Sequence, residues 1–184
     1  MSESPMDMPP IDAPLTAAAP ARPSTYWFVM TILGVIFLDQ AAKLAIVAIV
    51  PLYDSVSIIP HLLDFTYVRN SGMAFGLLQD LQLPHKQWIT GALAVGALSA
   101  IALYARQLTA REKWARIGLA LILGGAIGNI LDRVRLGYVI DYVDVYWGTW
   151  HFWAFNVADA AINIGAVCVF ADLFFGKKHA PTAV

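Results

Sequence analysis

Four stretches of this chain stay apolar long enough to cross a membrane. They occupy about Tyr26 to Val50, Gln87 to Ala105, Trp114 to Leu131 and Phe155 to Phe175. Each approaches the roughly 20 residues that a helix needs to span a hydrocarbon core. The punctuation agrees: Pro51 closes the first run, Pro84 precedes the second and Gly176-Lys177-Lys178 follows the fourth. Between the runs the period changes. Val56-Ser57-Ile58-Ile59 and Leu63-Asp64-Phe65-Thr66-Tyr67-Val68 read as short strands, and Val139 to Trp147 alternates as extended chain does. The pattern predicts an all-α integral membrane fold of four transmembrane helices, with a small β element and an outward loop at one end. No internal repeat is evident.

Composition sharpens this picture. The 184 residues are 59% hydrophobic and only 14% charged, against about 25% charged in a soluble domain. Mean hydropathy is +0.62. A net charge of −1 gives no reason to expect a nucleic-acid partner. The single cysteine, Cys168, lies in an apolar run, which excludes an intramolecular disulfide and a multi-cysteine metal site. It reads as a small hydrophobe.

The first 25 residues carry Glu3, Asp7 and Asp12 but only Arg22, among many Pro, Ala and Ser. A cleaved signal peptide needs a basic start and a shorter apolar core. Residues 1–25 are therefore expected to be a disordered cytoplasmic tail, 26–175 the membrane domain and 176–184 a short cytoplasmic tail. Orientation follows the basic residues. Seven of them (Arg22, Arg106, Arg111, Lys113, Arg116, Lys177 and Lys178) fall on one side, and four (Arg69, Lys86, Arg133 and Arg135) on the other. Both termini are then cytoplasmic. The segments near 51–86 and 132–154 face outward, the periplasmic side of a bacterial inner membrane.

Ionisable residues inside spans are functional hypotheses by default. Asp39 and Lys43 lie four apart, on one helical face, and read as an ion pair near the outer end. Gly124 and Gly128 form a small-xxx-small face for close helix packing. Asn129 and Arg133 share a face, while Asp132 reads as an interfacial neighbour of Arg133. Asn156, Asp159 and Asn163 align on one stripe that must avoid lipid.

Three chemistries can be weighed on this inventory. A zinc hydrolase needs clustered ligands, but His61, His85, His151 and His179 are scattered, with no H-E-x-x-H. A serine enzyme needs an activated hydroxyl. There is no G-x-S-x-G, and Ser99 lies near mid-span while Lys43 lies near an end. Paired carboxylates remain. Two held close cannot both ionise easily, so one keeps a proton. The ionised one draws a proton from water as that water attacks an amide carbonyl; the protonated one stabilises the oxyanion and helps protonate the leaving nitrogen. Asp159 has two candidate partners in the preceding outward loop, Asp141 and Asp144, which lie 18 and 15 residues before it. Their spacing of three puts them on opposite faces of a strand, and physics alone does not choose between them.

Five ordered stretches carry a resemblance: Asp39-Gln40-Ala41-Ala42-Lys43, Asn70-Ser71-Gly72-Met73-Ala74-Phe75, Gly128 to Arg133, Val139-Ile140-Asp141-Tyr142, and Phe155 to Asp159. From about Tyr26 to Phe175 the chain resembles the lipoprotein signal peptidase (signal peptidase II) family, bacterial membrane aspartic proteases. The resemblance implies that Asp141 and Asp159 are the catalytic pair. It also implies that Asn70, Gly72, Asn129, Arg133 and Asn156 bind or support substrate, with Asp39 and Lys43 as supporting polar residues. Asp144 matches a variable position. Met73 departs from the usual alanine, where it would narrow the pocket rim, and Tyr142 from the usual phenylalanine. The implied activity is removal of the signal peptide from prolipoproteins, just before a diacylglyceryl-modified cysteine. No metal or cofactor is implied. Membrane phospholipid and globomycin-type cyclic peptide inhibitors are the implied partners besides substrate. The aromatic cluster Tyr138, Tyr142, Tyr146, Trp147, Trp150, Phe152 and Trp153 suits an interfacial belt, and the loop from Asp54 to Lys86 is a candidate lid by analogy. The rival classes are a small proton-coupled transporter subunit, which would keep polar groups near the midplane, and a scaffold, which would tolerate loss of either aspartate.

Overall fold

The computed structural model describes residues 24–71, 86–109 and 112–175, with side chains in the second helix described from residue 96. Residues 72–85 of the candidate lid, Gly72 and Met73 among them, lie outside the described residues, as do residues 1–23 and 176–184 of the two terminal tails.

The first helix, α1, runs Thr25–Ile49; a hairpin of β1 (Ser55–Ile59) and β2 (Leu63–Asn70) follows. Next come α2 (Lys86–Gln107) and α3 (Lys113–Leu136), then β3 (Val139–Trp147), β4 (Trp150–His151) and α4 (Val157–Phe175). Helices α1, α3 and α4 are long and apolar enough to cross a membrane. At about 1.5 Å per residue, the 19 residues of α4 extend about 28 Å, close to the hydrocarbon thickness.

Helix α3 is the hub, packing against α1, α2 and α4. Its glycines permit this. A Cβ on Gly124 would press on Val35 and Ile32 of α1, one on Gly125 on the Ala158 carbonyl of α4, and one on Gly118 on the Gly165 carbonyl. The small-residue face read from the sequence is thus a real helix crossing, and it extends to a second neighbour. The bundle is also inside out relative to a soluble one. The buried stripe of α1 is Val35, Asp39, Lys43 and Ile46, whereas Phe37, Leu38 and Leu44 are exposed. Polar groups point inward and hydrocarbon points outward, as a lipid solvent requires.

All four strands form one antiparallel series in the order β1-β2-β3-β4. Strand β3 is its spine. It pairs Asp141 with Val68 and Asp144 with Asp64 of β2. The sheet caps one end of the bundle, where Ile46 of α1 and Val50 just after it join Tyr67, Ile140 and Tyr142 in a small apolar core.

Two boundaries differ from the sequence reading. Helix α3 continues five residues past Leu131 to Leu136, ending where Gly137 takes a left-handed φ of 82° and donates its amide to the Arg133 carbonyl. The charges at 132–135 do not break the helix, because Asp132 turns inward and the arginines complement the C-terminal dipole. Helix α4 begins at Val157, so Asn156 precedes it as the N-cap. Asn163, expected on the inward stripe, is exposed and donates to its own helix at the Asp159 carbonyl.

Candidate active site

Asp159 is set by local helix chemistry. With Asn156 as N-cap, the Asp159 amide donates to Asn156 Oδ1 at 2.9 Å, and the Asn156 amide donates to Asp159 Oδ2 at 3.2 Å. This reciprocal pair is a capping box. Its acidic member is favoured by the helix dipole. The other carboxylate oxygen, Oδ1, accepts from Asn129 Nδ2 at 2.8 Å.

Asp141 lies at the buried start of β3. Its Oδ2 accepts from Asn70 Nδ2 at 2.8 Å and its Oδ1 from Asn156 Nδ2 at 2.7 Å. One fully buried asparagine therefore touches both aspartates, holding Asp141 through its amide nitrogen and the Asp159 turn through its oxygen. Burial pushes the Asp141 carboxyl up to about 6, and the Asp159 charge adds to the rise, while the Asn70 and Asn156 bonds and Lys43 pull it down. The two acids share one electrostatic site.

A second buried layer orients the first. The three donors of the Lys43 ammonium reach Asp39 Oδ2 at 2.8 Å, Asp132 Oδ2 at 2.8 Å and Asn129 Oδ1 at 3.0 Å. Lysine can only donate, so the Asn129 oxygen faces Lys43 and its NH2 faces Asp159. Asp39 Oδ1 accepts the Ala158 amide at 3.0 Å, tying α1 to the first turn of α4. Gln40 donates to Asp132 Oδ1 at 2.9 Å, and the Ile140 amide donates to Asp132 Oδ2 at 3.3 Å. Asp39 and Lys43 are thus more than a self-neutralising pair. Asp132 and Gln40 are site residues that the sequence reading missed. Asp132 lies three residues after Asn129, on the same helical face, and that spacing was the available signal.

The remaining predicted residues separate cleanly. Asn70 joins the pair from the end of β2. Arg133 is exposed and donates to the Asn129 carbonyl within its own helix at 3.2 Å, so its side chain does not join the two aspartates through that bond. Asp144 lies farther out along β3 and pairs with His151 Nδ1 at 2.9 Å, which stacks on Tyr146. Trp147, Trp150, Phe152 and Trp153 are exposed at the same end. Cys168 is half-buried and free. Among the described residues no group of acidic, His or Cys side chains could hold a metal.

Apolar helices around an inward polar layer, with two carboxyl groups joined by one asparagine, define a helical membrane protein with a paired-carboxylate site. Comparison with known proteins gives the family. Residues 31–175 match the family model described as signal peptidase (SPase) II. The chain is 43% identical over 158 residues to the lipoprotein signal peptidase of Geobacter sulfurreducens, covering 86% of this chain and 98% of that one. It is 38% identical over 158 residues to that of Pseudomonas aeruginosa, covering 85% and 92%. A solved bacterial membrane enzyme superposes with a TM-score of 0.75 at 26% identity, covering 90% of this chain and 99% of that chain. The chain belongs to the signal peptidase II family of membrane peptidases.

Proposed function

We propose that this protein is an aspartic endopeptidase of the bacterial inner membrane. It removes the signal peptide from prolipoproteins, cutting just before the diacylglyceryl-modified cysteine. Asp141 and Asp159 are the catalytic pair. The observation that carries this reading is the single buried asparagine, Asn156, that donates to the Asp141 carboxylate through its side chain and to the Asp159 carboxylate through its backbone amide, with the Asp159 charge helping to raise Asp141.

The chemistry follows from that geometry. Asp141, raised by burial, is the member that keeps the proton. Asp159, held by a helix N-terminus and two amide donors, is the ionised base. Asp159 takes a proton from water, and the resulting hydroxide oxygen bonds to the scissile carbonyl carbon. Asp141 donates a hydrogen bond to the developing oxyanion. As the tetrahedral intermediate collapses, the proton that Asp159 took from water passes to the leaving nitrogen, the C–N bond breaks and the oxyanion re-forms a carbonyl, with Asp141 keeping its own proton. Asn70 and Asn156 keep Asp141 in place, while Asn129, with its amide turned by Lys43, keeps Asp159 in place.

The topology belongs to the same proposal: α1 to α4 all span the bilayer, both termini are cytoplasmic and the sheet lies on the periplasmic side. Exposed tryptophans beside the sheet fit an interfacial depth, where a lipidated cysteine also sits. Phospholipid and globomycin-type cyclic peptides are the further ligands of this reading. The transporter alternative has no support, since the buried charges gather at one end of the bundle instead of forming a path through it.

The test is processing of a lipidated prolipoprotein in membranes by wild type, Asp141→Asn, Asp159→Asn and Asp144→Asn. Cleavage is expected to vanish in the first two variants and persist in the third. Full activity in either of the first two would overturn the assignment.

A further inference from the structure

At the end of the bundle away from the sheet, where α1 and α3 both begin, a cavity of about 370 Å³ opens between them, within the size range of small-ligand pockets. Trp27, Phe28 and Ile117 wall it with hydrocarbon, and Lys113 and Arg116 bring two cations to it. Three residues apart on α3, the two cations share a helical face. Arg116 lies over the Phe28 ring at 5.4 Å and donates one of its five N–H groups to the Ser24 carbonyl at 2.8 Å, so its guanidinium is held in place. Among the described residues neither cation has an acidic partner. The nearest acid in sequence, Glu112, turns its Oε2 to the Thr109 amide and hydroxyl at 2.7 and 3.1 Å. Residues 106–116 hold four basic residues against that one acid.

Depth and charge together identify the occupant. Tyr26, Trp27 and Trp114 are exposed at this end, the placement of an aromatic belt at a membrane–water interface. Two cations above a hydrocarbon wall at that depth match a molecule with a negative headgroup and apolar tails, and basic pockets between membrane helices are where such headgroups bind. We propose that this cavity binds one anionic phospholipid. Its phosphate sits on Lys113 and Arg116, the start of its acyl chains lies against Trp27 and Ile117, and the rest of the chains continue into the bilayer. The lipid joins the first turns of α1 and α3. It is remote from the two aspartates: Arg116 precedes Asn129 by 13 residues on α3, about 20 Å of helix. Its leaflet, the cytoplasmic one, rests on the topology proposed above; the binding itself does not.

The test is native mass spectrometry of the full chain in detergent, titrated with phosphatidylglycerol and, separately, with phosphatidylcholine of the same acyl chains. One phosphatidylglycerol is expected to be retained in preference to phosphatidylcholine. Lys113→Gln and Arg116→Gln are each expected to weaken it about fivefold, the share of one cation at a lipid surface. Lys113 is exposed, so its variant keeps the test open should Arg116→Gln misfold. Arg106→Gln removes an exposed cation outside the cavity wall and is expected to stay within about twofold at physiological salt. Thr31→Phe leaves every charge in place but fills the cavity that Thr31 lines, and is expected to expel the lipid. Asp159→Asn is expected to retain it fully, whether or not that variant cleaves substrate, so this site and the catalytic reading stand or fall separately. Equal retention of the two lipids, an Arg106→Gln loss matching that of Lys113→Gln, or unchanged retention by Thr31→Phe would each reduce the effect to surface attraction and overturn the proposal. So would a wild type that retains no lipid until Glu3, Asp7 and Asp12 are neutralised, which would give the cavity to the chain's own acidic tail.

Discussion

Replacing Asn70 with alanine tests the electrostatics of the pair where the fold is least disturbed. Asn70 is exposed at the end of β2, so its truncation removes little packing and acts mainly on the Asp141 carboxylate it bonds. Its Nδ2 donates to Asp141 Oδ2 at 2.8 Å, and that bond is the largest influence favouring the ionised form of a carboxyl that burial has pushed up to about 6. A hydrogen bond to a charged group contributes about 1.5–3 kcal/mol. At this partly open position the lower end applies, which corresponds to about one pH unit. The sign is fixed: removing a donor to the carboxylate penalises ionisation, so Asp141 holds its proton to higher pH. Asn156 still donates to the other oxygen at 2.7 Å and bounds the shift. The assay is the pH dependence of kcat/KM for a lipidated prolipoprotein peptide, which reports the free enzyme. The limb marking loss of the Asp141 proton is expected to move up by about one pH unit, while the maximal rate falls. A limb that stays put or moves to lower pH would refute the assignment of Asp141 as the proton holder.

Three further outcomes follow from the same geometry. A folded-state value of about 6 against an ordinary 3.8 means that the contribution of Asp141 to stability is intact below about pH 4 and lost as pH rises through 6. At about 1.4 kcal/mol per unit the loss is about 3 kcal/mol. Asp141→Asn is therefore expected to gain on the wild type across pH 4–7 in detergent melting scans; a constant gap across that window would count against it. Lys43→Met strands the buried carboxylates of Asp39 and Asp132 and frees the Asn129 amide to turn. It is expected to lose about 3–5 kcal/mol, seen as a lower melting midpoint, and most of its activity; near-wild-type melting would contradict the network. Gly128→Ala puts a Cβ 2.7 Å from Asp39 Oδ2, and is expected to cost about 1–3 kcal/mol of stability and to reduce cleavage, whereas Gly34→Ala, which meets nothing within 4 Å, is expected to change neither.

What was legible in the sequence was whatever local physics determines. The apolar lengths of α1, α3 and α4 showed because hydrocarbon thickness sets a length, and β2 and β3 showed because extended chain alternates. The same logic brought Asn156 and Asp159 together by their spacing of three. It also misread how: Asn156 is the residue before the helix, and an Asn three residues ahead of an Asp at the mouth of an apolar run is itself a capping signal. What local pattern could not carry was the joining of distant segments. From spacing alone Asp39 and Lys43 read as an ion pair, because nothing in α1 reveals that Lys43 has two more acceptors on α3. Asp132 looked interfacial because its neighbours in sequence are arginines, yet its partners in space are Gln40, Lys43 and the Ile140 amide.

The choice between Asp141 and Asp144 makes the point most sharply. Alternation says that they face opposite sides of β3, but alternation does not decide which one is buried, because Val139, Ile140, Asp141 and Tyr142 are buried in succession. Depth along the strand decides it. The first residues of β3 are wedged against α1, α3 and the start of α4, where two asparagine amides await a carboxylate. Three residues on, the strand has cleared the bundle. Asp144 there lies opposite Asp64, an unfavourable like-charge pairing relieved by His151 and by the Tyr146 hydroxyl, which donates to Asp64 Oδ1 at 3.3 Å. The same residue type is thus a candidate acid at one position and the surface partner of a histidine at the other, and the difference is about 10 Å of travel along an extended chain.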